Sequence, residues 1–174
     1  MKPIHALAAA SLMLCLTSCA PPASDGQLAA TKPPTQLLRN EAANRLMSGT
    51  DDSVGAQQDY SAACRSEQED PEELYRSWRS TLLAEVPADS AIGVDQFVGA
   101  LATSFAEDGW SFAEENVSAG QKVTTMTRRD SIVTLTLTAN EVDGDGATVS
   151  VEASGPCVLT AGPESEEVRL LETS

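Results

Sequence analysis

Five residues near the end of the chain have the spacing of a calcium-binding loop. Counting from Glu141 as position 1, Asp143, Asp145, Gly146 and Glu152 occupy positions 3, 5, 6 and 12 of the EF-hand pattern. Position 1 is Glu rather than Asp, and the flanking residues alternate as strands do, not helices. Asp-Gly-Asp-Gly is also typical of a hairpin turn. The pattern therefore favours a plain turn without a cofactor, and Asp143, Asp145 and Glu152 are weak calcium candidates.

Histidine and cysteine limit the reactions that this chain can catalyse. The only histidine is His5, near the start, so the rest of the chain lacks a base for a Ser–His–Asp or Cys–His system. It also lacks a histidine ligand for zinc or copper. Cys64 and Cys157 predict a disulfide if the protein folds outside the cytoplasm, and two buried free thiols are the alternative. We identify no catalytic residue and expect a non-enzymatic protein.

Residues 16–19 carry a sorting signal. A short apolar run from Ala6 to Leu16 follows the positive charge of Lys2 and ends in Leu16-Thr17-Ser18-Cys19. This stretch resembles the lipobox of bacterial lipoproteins. The resemblance implies a signal peptide over residues 1–18, lipidation of Cys19, and an anchor on the extracytoplasmic side of the cell membrane. The alternative is an ordinary secretory signal cut near Ala20. Residues 19–34, rich in Pro and Ala, are predicted to form a tether.

The charge of the chain restricts its partners. The formal net charge is −15, and removing residues 1–18 takes away only Lys2. Such an acidic surface repels nucleic acid and anionic lipid headgroups, so we expect no nucleic-acid partner, and contact with the membrane only through the anchor. Arg128-Arg129 is the only adjacent pair of cations. It is suited to an anionic ligand or a partner's carboxylates, although a solvated turn is the simpler interpretation.

Three helices are predicted in the first two thirds of the chain. The first spans Thr35 to Met47, with Thr35 as its N-cap. The second begins at Asp70-Pro71 and ends before Pro87, because Leu74, Trp78 and Leu82 follow at helical spacing. The third spans Val94 to Asp108 and ends at Gly109. Its apolar stripe consists of Val94, Phe97, Val98, Leu101 and Phe105.

Alternating residues predict strands in the last third. We expect strands around Val123–Thr127, Ser131–Glu141 and Ala147–Val151. In the second of these, Thr134, Thr136 and Thr138 point away from the apolar face and form a candidate interaction face. The predicted fold is α+β, with two or three helices on one face of a three- or four-stranded antiparallel meander. Residues 35–162 form the domain, and residues 163–174 an acidic flexible tail.

This architecture resembles that of small actinobacterial lipoproteins of the LppA-like type. The resemblance lies in the Cys19 anchor, the cysteine ahead of the helices, the Gly109-Trp110 exit into strands, and Ser154-Gly155-Pro156-Cys157 after the last strand. It implies an envelope location and carries over no catalytic residue. We expect an interaction or accessory module with an envelope protein as partner. The alternative is an envelope lipoprotein that binds a small ligand or calcium.

Overall fold

The computed structural model describes residues 27–47, 54–86, 93–118, 120–142 and 146–174. These residues form three helices and seven strands. In chain order they are α1 (Gln27–Met47), β1 (Val54–Ala63), β2 (Tyr75–Val86), α2 (Val94–Ala106), β3 (Ser111–Ser118), β4 (Gln121–Thr127), β5 (Thr134–Val142), β6 (Gly146–Ser154), β7 (Val158–Leu159) and α3 (Glu166–Thr173).

All strands belong to one antiparallel sheet. Its order is β1-β2-β6-β5-β4-β3, and β7 also pairs with β2. The register places Leu82 of β2 and Leu137 of β5 on either side of Val151 of β6. After Gly155 the chain bends and pairs with β2 again, where Val158 lies opposite Arg76. Strand β2 therefore lies between β1 on one side and β6 with β7 on the other.

Helices α1 and α2 cover one face of this sheet. The alternation in β5 and β6 sends Leu135, Leu137, Val149 and Val151 toward the helices, and each is fully buried. They join one core, to which the helices contribute apolar residues including Leu38, Ala42, Leu46, Val98, Leu101 and Phe105. The opposite face has no helix among the described residues, as antiparallel sheets tolerate when that face is polar.

The predicted second helix is wrong, because residues 75–86 form strand β2. Leu74, Trp78 and Leu82 are four residues apart, and this spacing places side chains on one side of a helix and also of a strand. Alternation of polar and apolar residues distinguishes a strand from a helix. Ser80 interrupts that alternation, because it is polar although fully buried. Asp70 does not cap a helix. Its carboxylate accepts hydrogen bonds from the backbone N–H groups of Leu74 and Tyr75, and so shapes the turn before β2.

The third predicted helix is confirmed as α2, which ends at Ala106 rather than at Asp108. Four of the five residues of its apolar stripe are buried, and Val94 is partly buried. Gly109 ends it with φ +83°, a left-handed conformation that glycine adopts without strain. The N–H of Gly109 donates to the Ala106 carbonyl, and that of Trp110 to the Phe105 carbonyl. This pair of bonds is the Schellman motif, which turns the chain from α2 into β3.

Helix α1 begins at Gln27 rather than at Thr35, so residues 27–34 of the predicted tether are helical. Pro33 and Pro34 lie inside the helix and cannot donate backbone hydrogen bonds. Thr35 is not an N-cap. It is fully buried, and its hydroxyl donates to the Thr31 and Lys32 carbonyls. Packing against the sheet therefore extends the helix through a segment whose composition predicts an extended tether.

The predicted three- or four-stranded meander is also wrong, because the helices pack on a seven-stranded sheet. Strand β1, which the sequence did not indicate, and strand β3, which follows the Gly109-Trp110 exit, lie at its two edges. The predicted disulfide is confirmed between Cys64 and Cys157, with 5.8 Å between their Cα atoms. It joins the end of β1 to the bend between β6 and β7. The disulfide therefore links the segments on the two sides of β2.

The end of the chain contains a helix where a flexible tail was predicted. In α3, Val168 is buried against Leu28 of α1 and Trp78 of β2. The Glu172 carboxylate accepts hydrogen bonds from the backbone N–H and the hydroxyl of Ser61, each at 3.0 Å. Because Ser61 lies on the edge strand β1, α3 supplies an acceptor for a backbone N–H group of that edge.

Candidate functional site: the uncovered face of the sheet

The face of the sheet opposite α1 and α2 is rich in hydroxyl groups, and we call it the open face. The cross-strand register assembles it from neighbouring strands: Thr136 of β5 lies between Glu152 of β6 and Thr125 of β4. Thr127 at the end of β4 and Ser111 on the edge strand β3 are exposed, and most of its other hydroxyl-bearing residues are half-buried, as expected in the middle of a wide sheet. The half-buried residues are Thr81, Thr125, Thr134, Thr136, Thr138, Thr148, Ser150 and Ser154.

The structure brings all three residues of the predicted interaction face together. Thr134, Thr136 and Thr138 point to the open face along β5, while Leu135 and Leu137 between them are fully buried in the core. Their identity as an interaction site stays a prediction.

The middle of the open face carries little charge in a strongly acidic protein. Residues 121–127 of β4 and 134–140 of β5 contribute no charged side chain to it, since Lys122 pairs with Ala139 on the helix side. On β2 and β6 its charges are Arg79, Glu85 and Glu152, and the first and last form an ion pair at 3.4 Å. Glu115 of the edge strand β3 lies opposite Val123 and also points to this face. A surface of hydroxyls with little charge can form many hydrogen bonds with a neutral partner but attracts no strongly charged one.

Glu152 is the centre of the polar contacts on this face. Its carboxylate accepts a hydrogen bond from the Ser154 hydroxyl at 2.8 Å and a long one from the Tyr60 hydroxyl at 3.5 Å. It also pairs with Arg79, whose buried Nε has no hydrogen-bond partner among the described residues. The sequence did not indicate Tyr60 or Arg79, because Tyr60 lay outside every predicted element and Arg79 lay in a predicted helix. A signal was present in the alternation of Arg79, Thr81, Leu83 and Glu85.

The calcium candidates do not form one site in the described part of the chain. Glu141 pairs with Ala147 on β6, five residues from Glu152, which corresponds to roughly 17 Å along a strand. The two carboxylates also point to opposite faces of the sheet, so they cannot ligate the same ion. Asp143 and Asp145 lie outside the described residues. Among the described residues no group of three or more His, Cys, Asp or Glu is placed to hold a metal ion.

A second polar cluster lies between α1 and the edge of the sheet. The buried Arg39 forms an ion pair with Asp59 at 3.2 Å, and Gln36 donates to the same carboxylate at 2.9 Å. Burial alone would raise the pKa of the Asp59 carboxyl. Hydrogen bonds from Ser80 and Gln36 and the charge of Arg39 outweigh it, so the pKa lies below the usual 3.8. This carboxylate stays ionised at neutral pH, and the Arg39 guanidinium beside it stays protonated. The ion pair is therefore suited to fixing α1 on the sheet.

Cys19 and the other lipobox residues lie outside the described residues. Within the described part of the chain, no helix is both long enough and apolar enough to cross a membrane. No protein-family model matches the chain, and no curated protein or solved structure is significantly similar to it.

Proposed function

We propose that this protein is a non-enzymatic lipoprotein of the bacterial cell envelope, anchored through Cys19, which binds an envelope protein with the open face of its sheet. The observation that carries the proposal is the composition of that face. Hydroxyl side chains cover the middle strands with almost no charge, although the chain carries a formal net charge of −15. Acidic side chains suffice for solubility elsewhere, and their scarcity on the middle strands of this face leaves those strands suited to contact.

The lipobox and the disulfide support the extracytoplasmic location. Disulfides persist outside the cytoplasm, and Cys64–Cys157 joins segments separated by 93 residues. The absence of histidine after His5 supports a role without catalysis.

A photo-crosslinking amino acid at position 136 of the full lipidated protein tests this proposal in native membranes. We expect one protein to be captured reproducibly, and capture to be lost when Thr138→Lys places a charge beside the probe. Thr103→Lys is the matched control, because Thr103 is exposed on α2, on the other side of the sheet. Equal capture from both variants, each with an unchanged circular dichroism spectrum, would contradict the proposal.

Calcium or small-ligand binding is the alternative, and the geometry gives it less support. Glu141 and Glu152 point to opposite faces, which leaves Asp143 and Asp145 as its candidates. A ligand at one hundred times its dissociation constant stabilises a protein by about 2.7 kcal/mol. A rise in the unfolding temperature in calcium, lost in Asp143→Asn with Asp145→Asn, would favour this alternative over the interaction module.

A further inference from the structure

One end of the sheet carries apolar and cationic side chains together. An open cleft of about 250 Å³ lies between α1 and the segment that connects β4 to β5. Leu37 and Ile132 line it and are 71% and 63% exposed, which makes them the two most exposed large hydrophobic residues described. Arg128 lines the same cleft, and Arg129 beside it is exposed. We call Leu37, Arg128, Arg129 and Ile132 the end patch.

The end patch differs in charge from the rest of the molecule. The Arg128 guanidinium lies over the Trp110 ring at 5.1 Å, and its Nε is 2.8 Å from the Asp130 carboxylate. Arg129 forms no hydrogen bond or ion pair with any described residue. Glu41 also lines the cleft and, like Asp108, forms an ion pair with Arg45. The charges around the cleft therefore nearly balance, and Arg129 is the cation that no described carboxylate pairs with. At physiological ionic strength, distant carboxylates are screened beyond about 8 Å, so this end can attract an anionic surface despite the negative net charge.

The start of α1 lies at the same end of the sheet as the end patch. A Cβ built on Gly155 would be 2.8 Å from the Cβ of Thr31, so the first turns of α1 approach the chain directly after β6. The last residue of β6, Ser154, pairs with Thr134, two residues after Ile132. Pro34 of α1 lines the cleft itself. The chain thus enters the domain beside the end patch and not at the far end of the strands.

Little chain separates this entry point from the anchor. Eight residue steps connect Cys19 to Gln27, where α1 begins, and a fully extended chain spans at most about 29 Å over that distance. An anchor at Cys19 would therefore keep the start of α1 within about 29 Å of the bilayer, and the exposed aliphatic side chains at this end can reach the headgroups.

We infer that the end patch is a second membrane contact. Leu37 and Ile132 enter the headgroup region, and Arg128 and Arg129 bind anionic headgroups. The sequence predicts that the acidic domain is repelled by such lipids, and the end patch is the local exception. The inference rests on the proposed function, because the orientation depends on the anchor at Cys19.

Two labelled variants of the full lipidated protein test the inference. Ile132→Cys and Glu141→Cys each carry an environment-sensitive fluorophore, while Cys64 and Cys157 remain in their disulfide. Ile132 lies two residues before β5 and Glu141 lies near the end of that strand, so the two positions are nine residues apart, roughly 30 Å along the strand. In vesicles of phosphatidylcholine with phosphatidylglycerol, doxyl-labelled lipids should remove about half of the emission at position 132 and almost none at position 141, as expected for a probe at headgroup depth.

Headgroup charge is tested in the same assay. We expect weaker quenching at position 132 in phosphatidylcholine alone, and weaker quenching in the Arg129→Glu variant. Arg129 is exposed and its side chain has no described partner, so the variant should fold. Quenching that is equal at positions 132 and 141, or absent at both, overturns the inference. A concentration-dependent spectral shift at position 132 without quenching by lipid would indicate a second copy instead, and would also overturn it.

Failure of the anchor is recognised separately, by flotation of the vesicles. If the lipidated protein floats with the vesicles but position 132 is not quenched, the end patch is not a membrane contact while the proposed anchor stands. If the protein does not float, the anchor fails and the inference fails with it.

Discussion

Asp59 shows how single residues fix α1 on the sheet. Its carboxylate lies opposite Ser80 in the register of β1 and β2, and Gln36 and Arg39 reach it from α1. Arg39 is buried, so its charge is compensated mainly by this carboxylate. A buried charge that loses its partner is strongly unfavourable, and for that reason the pair ties α1 to the edge of the sheet.

We expect Asp59→Asn to lower the free energy of unfolding by about 2 kcal/mol, because Arg39 would lose a charged hydrogen-bond partner while remaining buried. Urea denaturation at neutral pH measures the change. Asp95→Asn is the matched control. The Asp95 side chain is 77% exposed, and its ion pair with Lys122 should contribute less than about 1 kcal/mol.

The same carboxylate predicts a dependence on pH. Its pKa is lower in the folded protein than in the unfolded chain. Its contribution to stability is therefore complete above the unfolded pKa, near 3.8, and is lost as the pH falls through the folded value. The difference in stability between the wild type and Asp59→Asn should shrink below about pH 4. A difference that stays constant down to pH 2 would show that Asp59 acts without its charge.

At the scale of elements, the contact between α1 and the end of β6 depends on Gly155. Gly155→Ala should destabilise the protein by roughly 1–3 kcal/mol, because the added methyl group would collide with Thr31 at 2.8 Å. Gly99→Ala is the opposite case. Gly99 lies inside α2 and a Cβ there meets nothing within 4 Å, so alanine should stabilise by about 0.5–1 kcal/mol. Thermal unfolding distinguishes the two signs, and a stable Gly155→Ala variant would refute the close approach.

Elements with one clear periodicity could be predicted from the sequence. Helix α2 has five apolar residues at helical spacing and a glycine at its end, and β5 alternates threonine with apolar residues. Strand β2 could not be identified in this way, since spacing by four residues fits both structures and Ser80 interrupts the apolar alternation. The edge strand β1 contains Gly55, Gln57 and Gln58, which have weak strand propensity, and pairing with β2 determines its conformation.

The candidate site was predictable only in part for the same reason. Thr134, Thr136 and Thr138 follow from the alternation of β5 alone. The low charge in the middle of the open face depends instead on the pairing of β5 with β4 and β6, and on β2 bringing Arg79 beside Glu152. Such pairings join residues far apart in sequence, and local patterns do not encode them. The end patch likewise needs α1 and the β4–β5 connection together.

At the scale of the whole molecule, the disulfide closes a loop over most of the domain. Replacing Cys64 and Cys157 with serine should destabilise the protein by about 4–5 kcal/mol in the chain-entropy model, given the separation of 93 residues. Urea denaturation measures this loss. The wild type, denatured without reductant, should contain no reactive thiol in this pair. Finding two free thiols, or equal stability of the double variant, would contradict a structural role.

The strand order also determines when the sheet can form. Residues 79–86 of β2 pair with residues 147–154 of β6. Strand β2 therefore cannot complete its pairing until residues near the end of the domain have been synthesised. Pairing at such long range makes folding slow relative to helical proteins. A nascent chain that contains β2 but not yet β6 has no complete sheet, and it remains extended enough to thread through a translocation channel. For the proposed lipoprotein, this topology would postpone folding until the carboxyl-terminal third has crossed the membrane.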